Sequence, residues 1–578
     1  MNGRRLVVGR FWRFHGRKNS AVVLSLIFAL TAGAIALGQS TAERRTLDEV
    51  KALYESGDFE HAAKLAAAAQ PHSADLGLYY GLALVKMGDV ETAESAFQVE
   101  YARYQQDARF AEELAGLAYR RKSSRDAKRW LQRALAHDHS RPYANDFLGL
   151  LFLADENLPA AIKYWNRIGK PLVQDVGIEA APRLNSLLLD RALAVSSGQV
   201  LTVDRLEMTR SNLDRLGVFG DYSFSLVPRP DARFDLTLRS GLAIGNLSGW
   251  AGKLLPYVRG LPYQTVYVDL TNVGGRAMSL SSLARWDSNK RRIAINFTSP
   301  FRLNPRWIYK LSLDARDERW DLTTSYFAKS GDLNGLNLRK VEAVGGTEYA
   351  ITSRLAWTTE LSVAKRSFRN HPQAEYFTNS VSVRFSNGLK YMLWNWPEHR
   401  VRADGNFNLD TGRILTGVPG REVIALGRVS ATWLPLSKGD DLSAQLNFSS
   451  ARIFGSAPFD DYYMLGMERD NDAKLWMRGH LGTRDGRKGS APLGTRYLVL
   501  QTEVDRTIFK LPFVKVQMGP FIDIGRIGDP HSQFGSSGWL TDAGLQAKIR
   551  TPGRLTLSLI YGRDLRHGHG VFYTSISK

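Results

Sequence analysis

Val401-Arg-Ala-Asp-Gly-Asn-Phe-Asn-Leu409 decides the fold. In an extended chain Val401, Ala403, Phe407 and Leu409 share one face, and Arg402, Asp404, Asn406 and Asn408 share the other, because successive side chains of a strand point opposite ways. The same period of two runs through Leu355, Trp357, Leu361 and Val363, and through Leu555, Leu557, Leu559 and Tyr561. Strands of about 9–11 residues suit a membrane-spanning barrel, whose closure leaves no unpaired edge in lipid. A soluble sandwich also alternates, but its strands are shorter.

Such strands fill residues 263–578. Eleven are expected before a long loop at 452–494, near 263–272, 278–287, 290–298, 306–316, 319–328, 338–350, 353–366, 376–388, 397–409, 421–434 and 439–451. Five follow it, near 495–507, 513–525, 538–549, 554–562 and 569–577. The count predicts a C-terminal 16-stranded antiparallel transmembrane β-barrel, an even number as in single-chain bacterial barrels.

The strand after the loop carries the chemistry. Val514, Val516, Met518, Ile522 and Ile524 share its apolar face, while Lys515, Gln517, Gly519, Phe521, Asp523 and Gly525 take the other. A carboxylate on the polar face of a lipid-embedded strand points into the lumen, and an ionised Asp there needs a partner. Arg478, in Leu475-Trp-Met-Arg-Gly-His480 of the loop, can supply a bidentate one.

Arg478-Gly479 resembles the Arg-Gly-aromatic motif of the sixth outer loop in the polypeptide-handling barrels of the BamA, TamA and FhaC type, the bacterial surface antigen family. Phe521-Ile-Asp-Ile-Gly525 is similar to that family's Phe-x-Asp-x-Gly motif, and Gly544–Gly562 to its last strands. The resemblance implies that Arg478 and Asp523 form a functional ion pair locking the loop, with Gly479, Phe521 and Gly525 completing the motif. It also implies a lateral seam between the first and last strands, marked by Tyr263, Val266, Phe572 and Tyr573. His480 departs from the family, where an aromatic is usual, and so does the terminal Lys578.

Residues 169–241 read as one α+β module of order βααββ. An extended stretch, Lys170–Glu179, is followed by helices Ser186–Ser197 and Val203–Leu216, then strands Tyr222–Val227 and Arg233–Leu238. The phrase Leu213-Asp-Arg-Leu-Gly-Val-Phe-Gly-Asp-Tyr222 resembles a POTRA domain. Residues 242–262 are a linker. Upstream, at 43–168, Ala62, Ala93, Ala127 and Ala161 recur at 31, 34 and 34 residues, each followed four residues later by Ala66, Phe97, Leu131 or Trp165. Small residues at helix crossings with a large knob one turn on match an α-helical tetratricopeptide solenoid.

Residues 1–42 join a basic head (Arg4, Arg5, Arg10, Arg13, Arg17, Lys18), an apolar middle (Ser20–Leu37) and small residues after it, the parts of a secretory signal peptide. A retained inner-membrane anchor is the alternative. The 578 residues carry 77 Lys+Arg against 57 Asp+Glu, a net charge of +20. Losing the signal leaves +14, spread over all parts, with no stacking aromatics on a reading module, so no nucleic-acid partner is expected. With no cysteine, a disulfide scaffold and a thiolate metal site are excluded. No metal spacing and no catalytic constellation are legible. The chain is read as neither an enzyme nor a cofactor binder, and His567 and His569 as a turn pair.

The reading is therefore a bacterial outer-membrane protein with periplasmic N-terminal domains. It inserts unfolded outer-membrane clients into the membrane, or passes secreted polypeptides across it. Outer-membrane lipids and a periplasmic protein on the repeat are its other partners. The alternatives are a polysaccharide export channel with periplasmic repeats, and a surface receptor or adhesin anchored by a barrel.

Overall fold

In a computed structural model of the chain, residues 43–70, 73–179, 182–231, 233–242, 260–261, 264–325, 334–371, 376–467, 477–511, 514–529, 534–551 and 556–577 are described. The signal segment, Tyr263 and nearly all of the linker lie outside these residues. The chain divides into two compact units, one through Leu151 and one from Phe152 onward.

The first unit is helical. Its helices are α1 (43–55), α2 (Phe59–Ala68), α3 (Ala74–Met87), α4 (Val90–Arg103), α5 (Ala108–Arg120), α6 (Ser124–His137) and most of α7 (Pro142–Ala154). Asp58, Ser73, Asp89 and Asp107 cap α2 to α5 by accepting from backbone N–H groups of the first turn. Ala62, Ala93, Ala127, Phe97 and Leu131 are fully buried. Gly81 shows why the crossing residues are small, because a Cβ there would come within 2.2 Å of the Phe97 ring.

The second unit begins with α8 (Leu158–Trp165) and a three-stranded sheet. β1 (Val173–Glu179) pairs in parallel with β3 (Phe234–Leu242), which pairs antiparallel with β2 (Phe219–Pro228). Between β1 and β2 lie α9 (Ser186–Ala192) and α10 (Val203–Leu216). α9 stops five residues before the sequence reading ends it, at Ala192 instead of Ser197. Beyond it the chain returns to the sheet, where Val173 N–H donates to Gln199 O and Gly198 N–H to Val173 O. Gly217, at φ 64°, ends α10 in the left-handed region that glycine adopts without strain.

The rest is a closed barrel. Ten strands come first: β4 (Thr265–Val273), β5 (Met278–Trp286), β6 (Lys290–Pro300), β7 (Trp307–Asp321), β8 (Asn334–Ala350), β9 (Leu355–Arg369), β10 (Ser380–Trp396), β11 (Val401–Thr416), β12 (Gly420–Trp433) and β13 (Leu442–Gly455). Four two-residue strands follow in the loop, β14 (Tyr463–Met464), β15 (Thr483–Arg484), β16 (Arg487–Lys488) and β17 (Leu493–Gly494). The last five wall strands are β18 (Arg496–Leu511), β19 (Val514–Gly528), β20 (Leu540–Arg550), β21 (Thr556–Asp564) and β22 (Gly570–Ser577). β13 pairs directly with β18, and the order returns from β22 to β4.

The expected count of sixteen is not reproduced among the described residues, where the wall has fifteen long strands. Of the expected segments 306–316 and 319–328, β7 takes the first and only 319–321 of the second, and 326–328 lie outside the described residues. β7 runs through the break expected at 317–318, and its Glu318 faces inward, where it is buried and meets Lys290 at 3.0 Å.

Burial along the wall is inverted relative to a soluble protein. On β19, Met518, Ile522 and Ile524 are exposed while Gln517, Phe521 and Asp523 are buried. Ile293, Leu311, Val341, Leu361, Phe407 and Leu545 are likewise exposed. An apolar exterior around a polar interior suits lipid outside and an aqueous or protein-filled lumen within.

One end of the barrel meets the α+β module. Asn185 N–H donates to Gly275 O, Asn272 Nδ2 donates to Arg183 O (2.8 Å), and Arg191 reaches the carbonyls of Arg302 and Leu303 (3.1 and 3.3 Å). Arg215 donates to Pro305 O at 3.2 Å. At another turn of the same end, Lys163 of α8 pairs with Glu398 at 2.5 Å, and Asn157 donates to Pro397 O at 2.7 Å. Burial works against the charged form of Glu398, but Lys163 outweighs it and holds the carboxyl below its usual range.

Candidate functional site

The loop from β13 to β18 leaves the opposite end and folds into the barrel. Gly455 starts the turn at φ 84°, where a Cβ would strike Arg421 O at 2.1 Å. Phe459 then enters an apolar cluster with Trp320, Phe368, Phe377 and Phe534 and is fully buried. β14 pairs with β17, which folds the loop back on itself.

Past that fold, residues 478–480 cross the lumenal face of three strands. β19 pairs Asp523 opposite Asp542 of β20, and β20 pairs Asp542 opposite Asp564 of β21. Three aspartates therefore form one rung across three neighbouring strands, all of them buried. Like charges placed opposite one another in a sheet are unfavourable, so the rung needs donors, and the loop provides them in order.

Arg478 serves Asp523. Its backbone N–H donates to Oδ2 (2.9 Å), Nε reaches Oδ1 and Oδ2 (3.1 and 2.9 Å), and Nη2 reaches Oδ1 (2.5 Å). Its remaining nitrogen, Nη1, donates to Glu503 Oε2 (2.8 Å) and Gln546 Oε1 (3.0 Å). The guanidinium lies 3.9 Å above the centre of the Phe521 ring, within cation–π range. Glu503 and Asp505 share Lys548. Gly479 N–H donates to Asp542 Oδ2 at 2.5 Å, and His480 stands between Asp542 and Asp564.

The glycines beneath are the space the loop occupies. A Cβ on Gly562 would lie 2.1 Å from Arg478 O, one on Gly525 would lie 2.7 Å from Met477 Sδ, and one on Gly479 would lie 2.6 Å from Asp542 Cγ. Each of the five motif residues thus has a physical task. Arg478 and Asp523 pair, Phe521 underlies the guanidinium, and Gly479 and Gly525 admit the backbone.

The seam residues divide. Val266 is on β4, paired across to Ala284 of β5. Phe572 and Tyr573 are on β22, opposite Tyr561 and Ile560 of β21. Phe572 is exposed on the outer face, and Tyr573 packs toward Met467, Phe521 and Ile560.

Sequence reasoning missed the loop's other hold. Asp460 and Asp461, next to Phe459, meet a basic wall made by Lys340 of β8, Arg366 of β9 and Arg384 of β10. Arg366 reaches Asp460 at 2.8 Å and Asp461 at 3.5 Å, Lys340 reaches them at 3.2 and 3.7 Å, and Arg384 reaches Asp461 at 2.6 Å. A further contact sets Lys488 of β16 over the Trp320 ring, 4.7 Å from its centre. Two adjacent acids in a loop were the only signal for this hold, and they pair with strands about eighty to one hundred and twenty residues away in sequence.

No protein-family profile and no curated relative matches the chain. Among solved structures, the chain is similar to CdiB from Acinetobacter baumannii, with 14% identity, a TM-score of 0.44, and coverage of 70% of this chain and 73% of that one. It is similar to CdiB from Escherichia coli at 15% identity and a TM-score of 0.46, covering 70% and 74%. It is also similar to BamA from Haemophilus ducreyi lacking POTRA domains 1–3, at 13% identity and a TM-score of 0.39, covering 70% and 83%.

Proposed function

We propose that this protein is an outer-membrane factor that takes unfolded polypeptide from the periplasm and inserts it into, or passes it across, the outer membrane. The observation that carries this reading is the loop crossing the acid rung, with Arg478 on Asp523, inside a barrel whose exterior is apolar. In this reading the helical unit is a tetratricopeptide repeat that holds a periplasmic protein, residues 169–241 form a POTRA-like domain, and residues 1–42 form the signal. The loop keeps the wall in its working shape, and the seam between β4 and β22 opens to lipid. No catalytic step is assigned, and no cofactor is called for.

Depletion of the protein in its own cells tests this. The expected result is a fall in other outer-membrane β-barrel proteins or secreted polypeptides, with surface glycan unchanged. Loss of glycan alone would overturn the reading in favour of an export channel. No change in any of these would leave only an anchored receptor or adhesin.

A further inference from the structure

The histidine of the loop has an arrangement that its neighbours do not share. His480 Nδ1 lies 3.1 Å from Asp542 Oδ2, and Nε2 lies 3.5 Å from Asp564 Oδ2. The two ring nitrogens point to opposite sides of the imidazole, and each faces a carboxylate on a different strand. A neutral imidazole has one N–H, so its other nitrogen would present a lone pair to a carboxylate oxygen. Only the doubly protonated ring turns an N–H toward both. One ligand atom from each of the three side chains lies within 4.8 Å of the others, and a chelator leaves the proton as the only cation in play.

The charges around the ring agree. Asp523 of β19 and Glu503 of β18 are answered by Arg478, and Glu503 and Asp505 by Lys548 of β20. Asp542 and Asp564 have only histidine as ion-pair partners among the described residues, His480 for both and His567 for Asp564 (2.7 Å). Asp564 also accepts from the Arg566 backbone N–H, and Asp542 from that of Gly479. Asp542 Oδ1, in a fully buried side chain, has no hydrogen-bond partner. Two buried carboxylates set opposite each other thus depend on imidazole for positive charge.

We propose that His480 is a positioning residue that works as an acid-operated clasp. As the imidazolium it fastens the loop to β20 and β21 together, and on losing its proton it lets one of them go. Burial opposes the charged ring, but the bond to Asp542 and the charges of Asp542 and Asp564 outweigh it, so the pKa is raised. The sign follows. A cation whose folded pKa is raised contributes stability that is full at low pH and is lost as pH rises through that value. The clasp holds in mild acid and loosens in alkali. It concerns the fastening of the loop, so it stands or falls separately from the transport reading.

Hydrogen exchange on the full chain in detergent, with a chelator present, tests the clasp. Residues 477–482 should lose about tenfold in protection between mild acid and mild alkali after correction for intrinsic rates, the worth of one charge-assisted hydrogen bond. His480→Phe should give a flat profile while the wall strands stay protected. Asp564→Asn should flatten it in part and keep the Arg478 contacts. An unchanged profile in His480→Phe, or a flat one in the unmodified protein, overturns the proposal. A variant that fails to fold shows itself by lost protection throughout the barrel, and Asp564→Asn then decides alone.

Discussion

The loop is held at two places of opposite polarity. On β19 to β21 the wall is acidic and the loop brings Arg478, the Gly479 N–H and His480. On β8 to β10 the wall is basic and the loop brings Asp460 and Asp461. The difference fixes orientation: a loop turned end for end would set acid against acid and base against base. It also separates the two holds in kind. The acidic wall meets one permanent cation from the loop, Arg478, whereas the basic wall spreads its charge over three cations.

The comparison can be broken by mutation. Arg478→Leu removes the only permanent cation on Asp523 among the described residues, and a buried charge stripped of its partner costs about 3–5 kcal/mol. Proteolysis within 477–494 should become fast in that variant while the barrel remains folded. If loop cleavage is unchanged, the loop is not held from that side. Arg366→Leu should release the loop less, by about 1–3 kcal/mol, because Lys340 and Arg384 still reach Asp461. Equal release in both variants would show that redundancy on the basic wall counts for nothing.

A smaller effect separates the two holds by pH. Burial works against the charge on Asp461, but Arg384, Lys340 and Arg366 outweigh it and keep the carboxyl well below its ordinary range. An acid with a depressed folded pKa contributes stability that is full above its unfolded pKa and lost only as pH falls through the folded one. Protection of residues 459–462 should therefore be level from mild acid to mild alkali, where that of 477–482 falls. A shared decline in both segments would mean that the loop moves as one body and the two holds are not separable.

How much of this was legible follows from where the information lies. Alternation is local, so β11 could be read from Val401–Leu409 and β19 from Val514–Gly525. Arg478 and Asp523 could be paired because a buried carboxylate demands a cation and the loop offers one beside a glycine. Asp542 and Asp564 were passed over because a rung is a matter of register, and no spacing in the chain announces which residues of β20 and β21 face Asp523. Lys340, Arg366 and Arg384 were passed over for the same reason. The break expected at 317–318 is absent because β7 runs through it, with inward-facing Glu318 held by Lys290 of the neighbouring strand, a partner that only register reveals.

The rung of aspartates also bears on the order in which the molecule comes together. Three carboxylates side by side repel until Arg478, Gly479 and His480 lie across them. The wall at β19 to β21 is thus incomplete without the strap, as an arch is without its keystone. Registering these strands and seating the loop become coupled events in folding, and a loop shortened within 477–482 should weaken β19 to β21 without unfolding the rest of the barrel.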